Sequence, residues 1–270
     1  MSNPAFQSLA FACAVGLMSG CHASIWGMYK DAPHEGFRHG AFARSILIGA
    51  MAGMVIQLLF RFPFPRPSSF VLLFGLSYAM ERGVVEVWKT FIRSEDQSKY
   101  FIPMQFSIRG IPVASRVARL LAGAAYVAVV TAALVIARHL NDSAGLTHIA
   151  RAALGGAAVG ILLACGGAWK DAPKEGFDIV KFFRSPMMTV IYACLLSSFT
   201  ADHLLIAAAA IGYERATAET YKTFFFPSRP RGKFNGRPIL YPAIRETRVY
   251  FVPMYVTISL SVVACAAAAV

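Results

Sequence analysis

The chain is 270 residues long, 57% hydrophobic and only 15% charged, with a net charge of +12. Soluble domains carry about 25% charged residues, so the composition argues against an ordinary water-soluble globule and points to an all-α, polytopic integral membrane protein. The basic excess does not suggest nucleic acid as a partner, because the Lys and Arg residues cluster in the connections between apolar runs.

Eight runs read as transmembrane helices, at about 5–28, 45–60, 69–91, 116–138, 148–169, 186–200, 201–224 and 249–269. The second and sixth are short for a bilayer that asks for about 20 residues. Six full spans with two partial ones is the fallback. The opening Met-Ser-Asn-Pro lacks the basic segment of a secretory leader, so 5–28 is expected to stay as the first helix. It is rich in small residues, which let helices approach closely in lipid. His22 lies within it and reads as packing. The five cysteines all fall in apolar runs, without a C-x-x-C pair, and read as small buried thiols.

After the first run comes Lys30-Asp-Ala-Pro-His-Glu-Gly-Phe-Arg-His-Gly-Ala-Phe-Ala-Arg-Ser45. Its frame returns 140 positions later as Lys170-Asp-Ala-Pro-Lys-Glu-Gly-Phe-Asp-Ile-Val-Lys-Phe-Phe-Arg-Ser185. A repeat of that length marks an internal duplication. Pro33 is expected to end the preceding helix, and Asp31 to cap a new one with Glu35 in its first turn. In the functional reading, Lys30, Asp31, Glu35 and Arg44, with Lys170, Asp171, Glu175 and Arg184, line a polar mouth at the membrane surface.

A second repeated motif ends the third run. Glu81-Arg-Gly-Val-Val-Glu-Val-Trp-Lys-Thr-Phe91 returns 133 positions later as Glu214-Arg-Ala-Thr-Ala-Glu-Thr-Tyr-Lys-Thr-Phe224. Charges halfway along a span cost on the order of 3 kcal/mol each, so they are rarely idle. Helical spacing puts Arg82, Glu86 and Lys89 on one face, and Arg215, Glu219 and Lys222 on another. Glu81 and Glu214 are then left over. They either seal the two copies together, Glu81 with Arg215 and Glu214 with Arg82, or face a path that carries a proton, a cation or a substrate head group.

The connection after the third run holds Pro103 and Pro112 and reads as non-helical. Its counterpart at 225–244 carries Asn235-Gly236, a two-residue turn signal for a small basic hairpin. A register that shifts Arg116 and Arg119 onto Arg245 and Arg248 makes the fourth and eighth runs equivalent.

The duplication gives repeats at 1–140 and 141–270 of four helices each. An even number makes them parallel, related by a pseudo-two-fold axis along the membrane normal. Twenty of the 26 Lys and Arg lie in four alternate connections, 29–45, 89–119, 170–184 and 222–248. The positive-inside rule places these in the cytoplasm and both termini outside, in a cytoplasmic (inner) membrane. Such loops suit anionic lipids, the expected partners; a homo-oligomer is left open.

The favoured function is a transporter or channel-like protein that moves an anionic or lipid-phosphate-type solute, with proton coupling an option. Its central site would be Glu81, Arg82, Glu86, Lys89, Glu214, Arg215, Glu219 and Lys222. No cofactor is expected on that reading. One alternative is an integral-membrane enzyme acting on a lipid phosphate, with Asp31, Glu35, Asp171 and Glu175 holding a divalent metal. Another is a structural or assembly subunit whose charges only bridge helices.

Overall fold

The structure, a computed structural model, describes residues 3–143, 145–225 and 232–270. Among them are eight α-helices: α1 (Pro4–Glu35), α2 (His39–Phe60), α3 (Pro67–Val87), α4 (Arg116–His139), α5 (His148–Glu175), α6 (Ile179–Leu196), α7 (His203–Phe224) and α8 (Arg248–Ala269). Six are long and apolar enough to cross a bilayer: α1, α2, α4, α5, α6 and α8. This is the pattern of an integral membrane protein. The remaining two, α3 and α7, are the helices that carry the second motif.

The two runs that looked short belong to longer helices. The α2 helix starts at His39 and α6 at Ile179, where Asp178 caps it by accepting from the Val180 and Lys181 amides. At 1.5 Å per residue, 22 residues of α2 span about 33 Å. The basic residues near these helix starts had made the first turns look like loop.

The Lys-Asp-Ala-Pro part of the first motif ends a helix and does not start one; the next helix begins further on, at His39 and Ile179. The α1 helix runs through Pro33 to Glu35, and α5 through Pro173 to Glu175. Proline forfeits one backbone hydrogen bond, which is tolerable this close to a terminus. Gly36 and Gly176, both at φ 81°, stop the helices, and their amides bond back to Ala32 and Ala172.

The chain folds as two compact units, and the division falls inside α3 and α7. Unit 1 takes Met1–Arg82, Ile211–Pro227 and Pro238–Val270; unit 2 takes Gly83–Ala210 and Ser228–Arg237.

In unit 1, α1 and α2 pack almost backbone to backbone. A Cβ on Gly16 would lie 2.2 Å from the Gly49 carbonyl oxygen. The α3 and α7 segments also touch at glycines, where a Cβ on Gly212 would meet the Gly75 oxygen at 1.9 Å. Tyr213 reinforces that crossing with a 2.8 Å bond to the Val71 carbonyl. Ile25, Trp26, Met28, Tyr29 and Ala32 on α1 close a core with Tyr255 of α8.

In unit 2, α5 packs on α6 through Gly160, where a Cβ would meet Pro186 Cα at 2.5 Å. The third helix unwinds into a π-turn at Trp88–Ile92, and α4 rests on it at Phe91 and Gly123. A short antiparallel hairpin follows, β1 (Ser107–Ile108) with β2 (Ile111–Pro112). Arg109 and Gly110 both have positive φ, 51° and 76°, the signature of a type I′ turn.

The hairpin therefore sits in the first long connection, and not at Asn235-Gly236 as the dipeptide suggested. Gly236 does make a turn, but Gly232–Phe234 ahead of it forms a 3-10 turn and the described flanks form no strand. Phe234 packs instead on Tyr100 and Met104 in a small cluster. Part of that connection, 226–231, lies outside the described residues.

Candidate functional site

The deepest charges are Glu81 and Glu214, both fully buried. Each is met by the arginine that follows it. Arg82 grips Glu81 through Nε and a terminal nitrogen, and Arg215 Nε donates to Glu214 Oε2 at 2.6 Å. The two acids are not left over. Adjacent helical residues point about 100° apart, so spacing rules discount such pairs; the long arginine side chain folds back and makes them. Arg82 also reaches the Ser45 hydroxyl at 3.4 Å, where the first motif ends.

The second acid of the motif makes the longer-range pair. Lys30 Nζ lies 2.7 Å from Glu219 Oε2, and Lys222 Nζ lies 3.4 Å from Glu219 Oε1. Lys170 Nζ stands 3.9 Å from Glu86 Oε2. In each case the lysine that opens one copy of the first motif meets the second glutamate of the other copy of the second motif. The expected helical ladder is borne out at Glu219–Lys222. Links across the copies exist at positions other than Glu81 and Arg215.

An aromatic hub joins two of the unit 1 charges, Lys30 and Arg82. The Trp26 ring has Lys30 Nζ 5.3 Å from its centroid and the Arg82 guanidinium at 5.0 Å, both within cation–π range. Its Nε1 can only donate, so Tyr78 Oη accepts from it at 2.7 Å. Tyr78 Oη also lies 3.2 Å from His22 Nδ1, within hydrogen-bond reach. His22 stacks on Tyr255 at 3.9 Å, and Tyr255 bonds Thr220 one residue past Glu219.

Sequence reasoning passed over Trp26, Tyr78 and Tyr255 and set His22 aside as packing. One signal was available: Trp26 precedes Lys30 by four residues, and Tyr78 precedes Arg82 by four. Each aromatic therefore stands one turn below a charge on its own helix face.

The first motif serves as a landing for the long connections. In unit 1 the Pro33 carbonyl accepts from the Leu240 and Tyr241 amides, and His34 Nδ1 bonds the Pro238 carbonyl at 2.9 Å. In unit 2 the tip of the hairpin rests on the motif, where a Cβ on Gly110 would touch Pro173. Trp169 anchors the hairpin by donating to the Ser107 carbonyl at 2.7 Å. Arg44 and Arg184 lie half-buried in the first two turns of α2 and α6.

The four acids assigned to a metal stand as two pairs, Asp31 with Glu35 in unit 1 and Asp171 with Glu175 in unit 2. Lys181 holds the second pair at 3.0 and 2.6 Å. Among the described residues no group of three or more His, Cys, Asp and Glu is placed to hold a metal ion.

No family model, curated protein or solved structure matches the chain.

Proposed function

We propose that this chain is a membrane transporter or channel-like protein that moves an anionic or lipid-phosphate-type solute through the charged cluster of unit 1. The observation that carries the reading is the cluster itself. Three buried carboxylates, Glu81, Glu214 and Glu219, share one compact unit with the cations Arg82, Arg215, Lys30 and Lys222. Burying ion pairs yields little net stability, and apolar residues of similar volume often serve as well or better. Seven charges kept in one apolar bundle therefore call for a use beyond holding helices together. Four cations against three acids favour an anion as the guest.

On this reading the two copies are parallel repeats, and equivalent positions do the same work in both. Phe91 meets Tyr126 at 5.7 Å and Phe224 meets Tyr255 at 4.7 Å, in keeping with the register chosen for the fourth and eighth helices. The basic connections face the cytoplasm and both termini face outward. Arg82 and Arg215 exchange Glu81 and Glu214 for the anion as it passes, and a glutamate released from its arginine is free to take up a proton.

The structural-subunit reading has an observation in its favour too: each of the three acids already touches a cation. Uptake decides between them. Proteoliposomes would be assayed for inorganic phosphate flux, and for flipping of fluorescent phosphatidic acid, with and without a pH gradient. The transport reading expects Glu81→Gln with Glu214→Gln, destabilised by the two arginines it strands, to lose pH-driven flux at least tenfold in the fraction that reconstitutes folded. Full flux in that double variant would remove the proton-carrying role.

A further inference from the structure

The face of unit 2 around Lys170 and Glu86 is the open counterpart of the sealed core around Lys30 and Glu219. Five equivalent pairs around these charges differ in the same direction. Trp26 is 6% exposed; its counterpart Gly166 is exposed, and a Cβ there would meet nothing within 4 Å. Ile25 is fully buried, and Cys165 is exposed. Ala216 is buried, and Gly83 is exposed. The Glu219 side chain is 9% exposed, and that of Glu86 is 44% exposed. Tyr29 is buried, whereas Trp169 is 56% exposed.

We propose that this open face binds one glycerophospholipid with a zwitterionic head group. Lys170 Nζ and Glu86 Oε2 lie 3.9 Å apart, and both side chains reach the surface. They present a positive and a negative charge side by side, which matches a phosphate linked to an ammonium group. The phosphate falls to Lys170 and the ammonium to Glu86. The Trp169 indole, 56% exposed, stands next to Lys170 in sequence near the C-terminal end of α5, and aromatic rings near helix ends favour the head-group region. One turn back along α5, Cys165, Gly166 and Gly167 leave room for an acyl chain against the backbone. The inference rests on the chain lying in a membrane, and not on transport.

The test is native mass spectrometry of the full chain after delipidation and re-addition of equal phosphatidylethanolamine and phosphatidylglycerol. The wild type is expected to retain one phosphatidylethanolamine per chain, at least tenfold above phosphatidylglycerol. Gly166→Trp, which installs the residue found in the sealed copy, should cut that retention at least tenfold. If that variant does not fold, Lys170→Met with Glu86→Gln should abolish the head-group preference. Equal retention of the two lipids, or unchanged retention in the variants, would overturn the proposal. Since no flux is read, failure here is distinct from failure of the transport reading.

Discussion

Lys30 with Glu219 and Lys170 with Glu86 come from the same four motif positions, yet they are different interactions. The first is a 2.7 Å contact beneath Trp26 and Tyr255; the second is a 3.9 Å contact at the surface of a glycine-bearing helix. Identical charges thus carry unequal energetic weight, because burial sets what an ion pair is worth. A buried pair is costly to break, since the survivor stays desolvated, while an exposed one is worth under about 1 kcal/mol. Each motif occurs twice in the chain, so there are two sets of the same charges; aromatic residues surround one set and make it tight, and the other stays open.

That contrast can be broken from the closed side first. Trp26→Gly removes a buried indole, the acceptor-bound Nε1 and the ring shared by Lys30 and Arg82. Large-to-small changes of this kind cost about 3–5 kcal/mol, and a helical glycine adds about 1. Thermal unfolding in detergent should show a severe loss, where Gly166→Trp in the open copy should show little. Glu219→Gln comes next, at about 3–5 kcal/mol, because Lys30 and Lys222 lose their shared carboxylate. Glu86→Gln should cost under about 1 kcal/mol. Equal losses for the two glutamates, read by the same unfolding assay, would erase the distinction.

Tyr78→Phe sharpens the picture at a smaller scale. It keeps the ring and removes the hydroxyl that takes the Trp26 proton and serves His22. A stranded donor in the core costs about 1–3 kcal/mol. The downfield indole proton of Trp26 in an NMR spectrum should shift with the loss of its acceptor.

The smallest effect lies in the connection between α3 and α4. Partial burial raises the Glu95 carboxyl pKa, but the Lys99 contact and the nearby Arg93 outweigh it and hold the group below the usual carboxylate range. A carboxyl depressed in the folded state contributes stability above its unfolded pKa, and loses it as pH falls through the folded one. Acid unfolding followed between about pH 5 and 3 should therefore show a component that Glu95→Gln removes.

Much of the helical layout was legible in the residues. Long apolar runs admit few alternatives to helices in a bilayer, and all eight runs became helices. Their ends were harder to read. Pro33 and Pro173 looked like helix breakers, but a proline near the C-terminus of a helix removes a bond that the ending helix can spare, and Gly36 and Gly176 terminate it. The hairpin was assigned to Asn235-Gly236 because that dipeptide favours the turn. Arg109-Gly110 adopts it because Trp169 and the Pro173 turn hold the flanking strands.

For the site, the duplicated motifs named most of the charges, since a charge halfway along a helix is conspicuous. Partners were less legible. Side-chain reach let Arg82 and Arg215 pair with their immediate neighbours. The Lys30–Glu219 contact joins residues 189 apart, which no local spacing encodes. The aromatic hub escaped because Trp26, Tyr78 and Tyr255 are ordinary residues for an apolar helix, and only their placement gives them a role.

The transport reading is tested most directly by replacing one buried ion pair with apolar side chains of similar size. Glu81→Met with Arg82→Leu removes both charges together, so neither is stranded, and such exchanges are often neutral or stabilising. In proteoliposomes the transport account predicts a folded protein, unfolding at or above the wild-type temperature, that has lost at least tenfold of its flux of phosphate or fluorescent phosphatidic acid. A folded double variant with full flux would contradict it and leave the charges as links between helices.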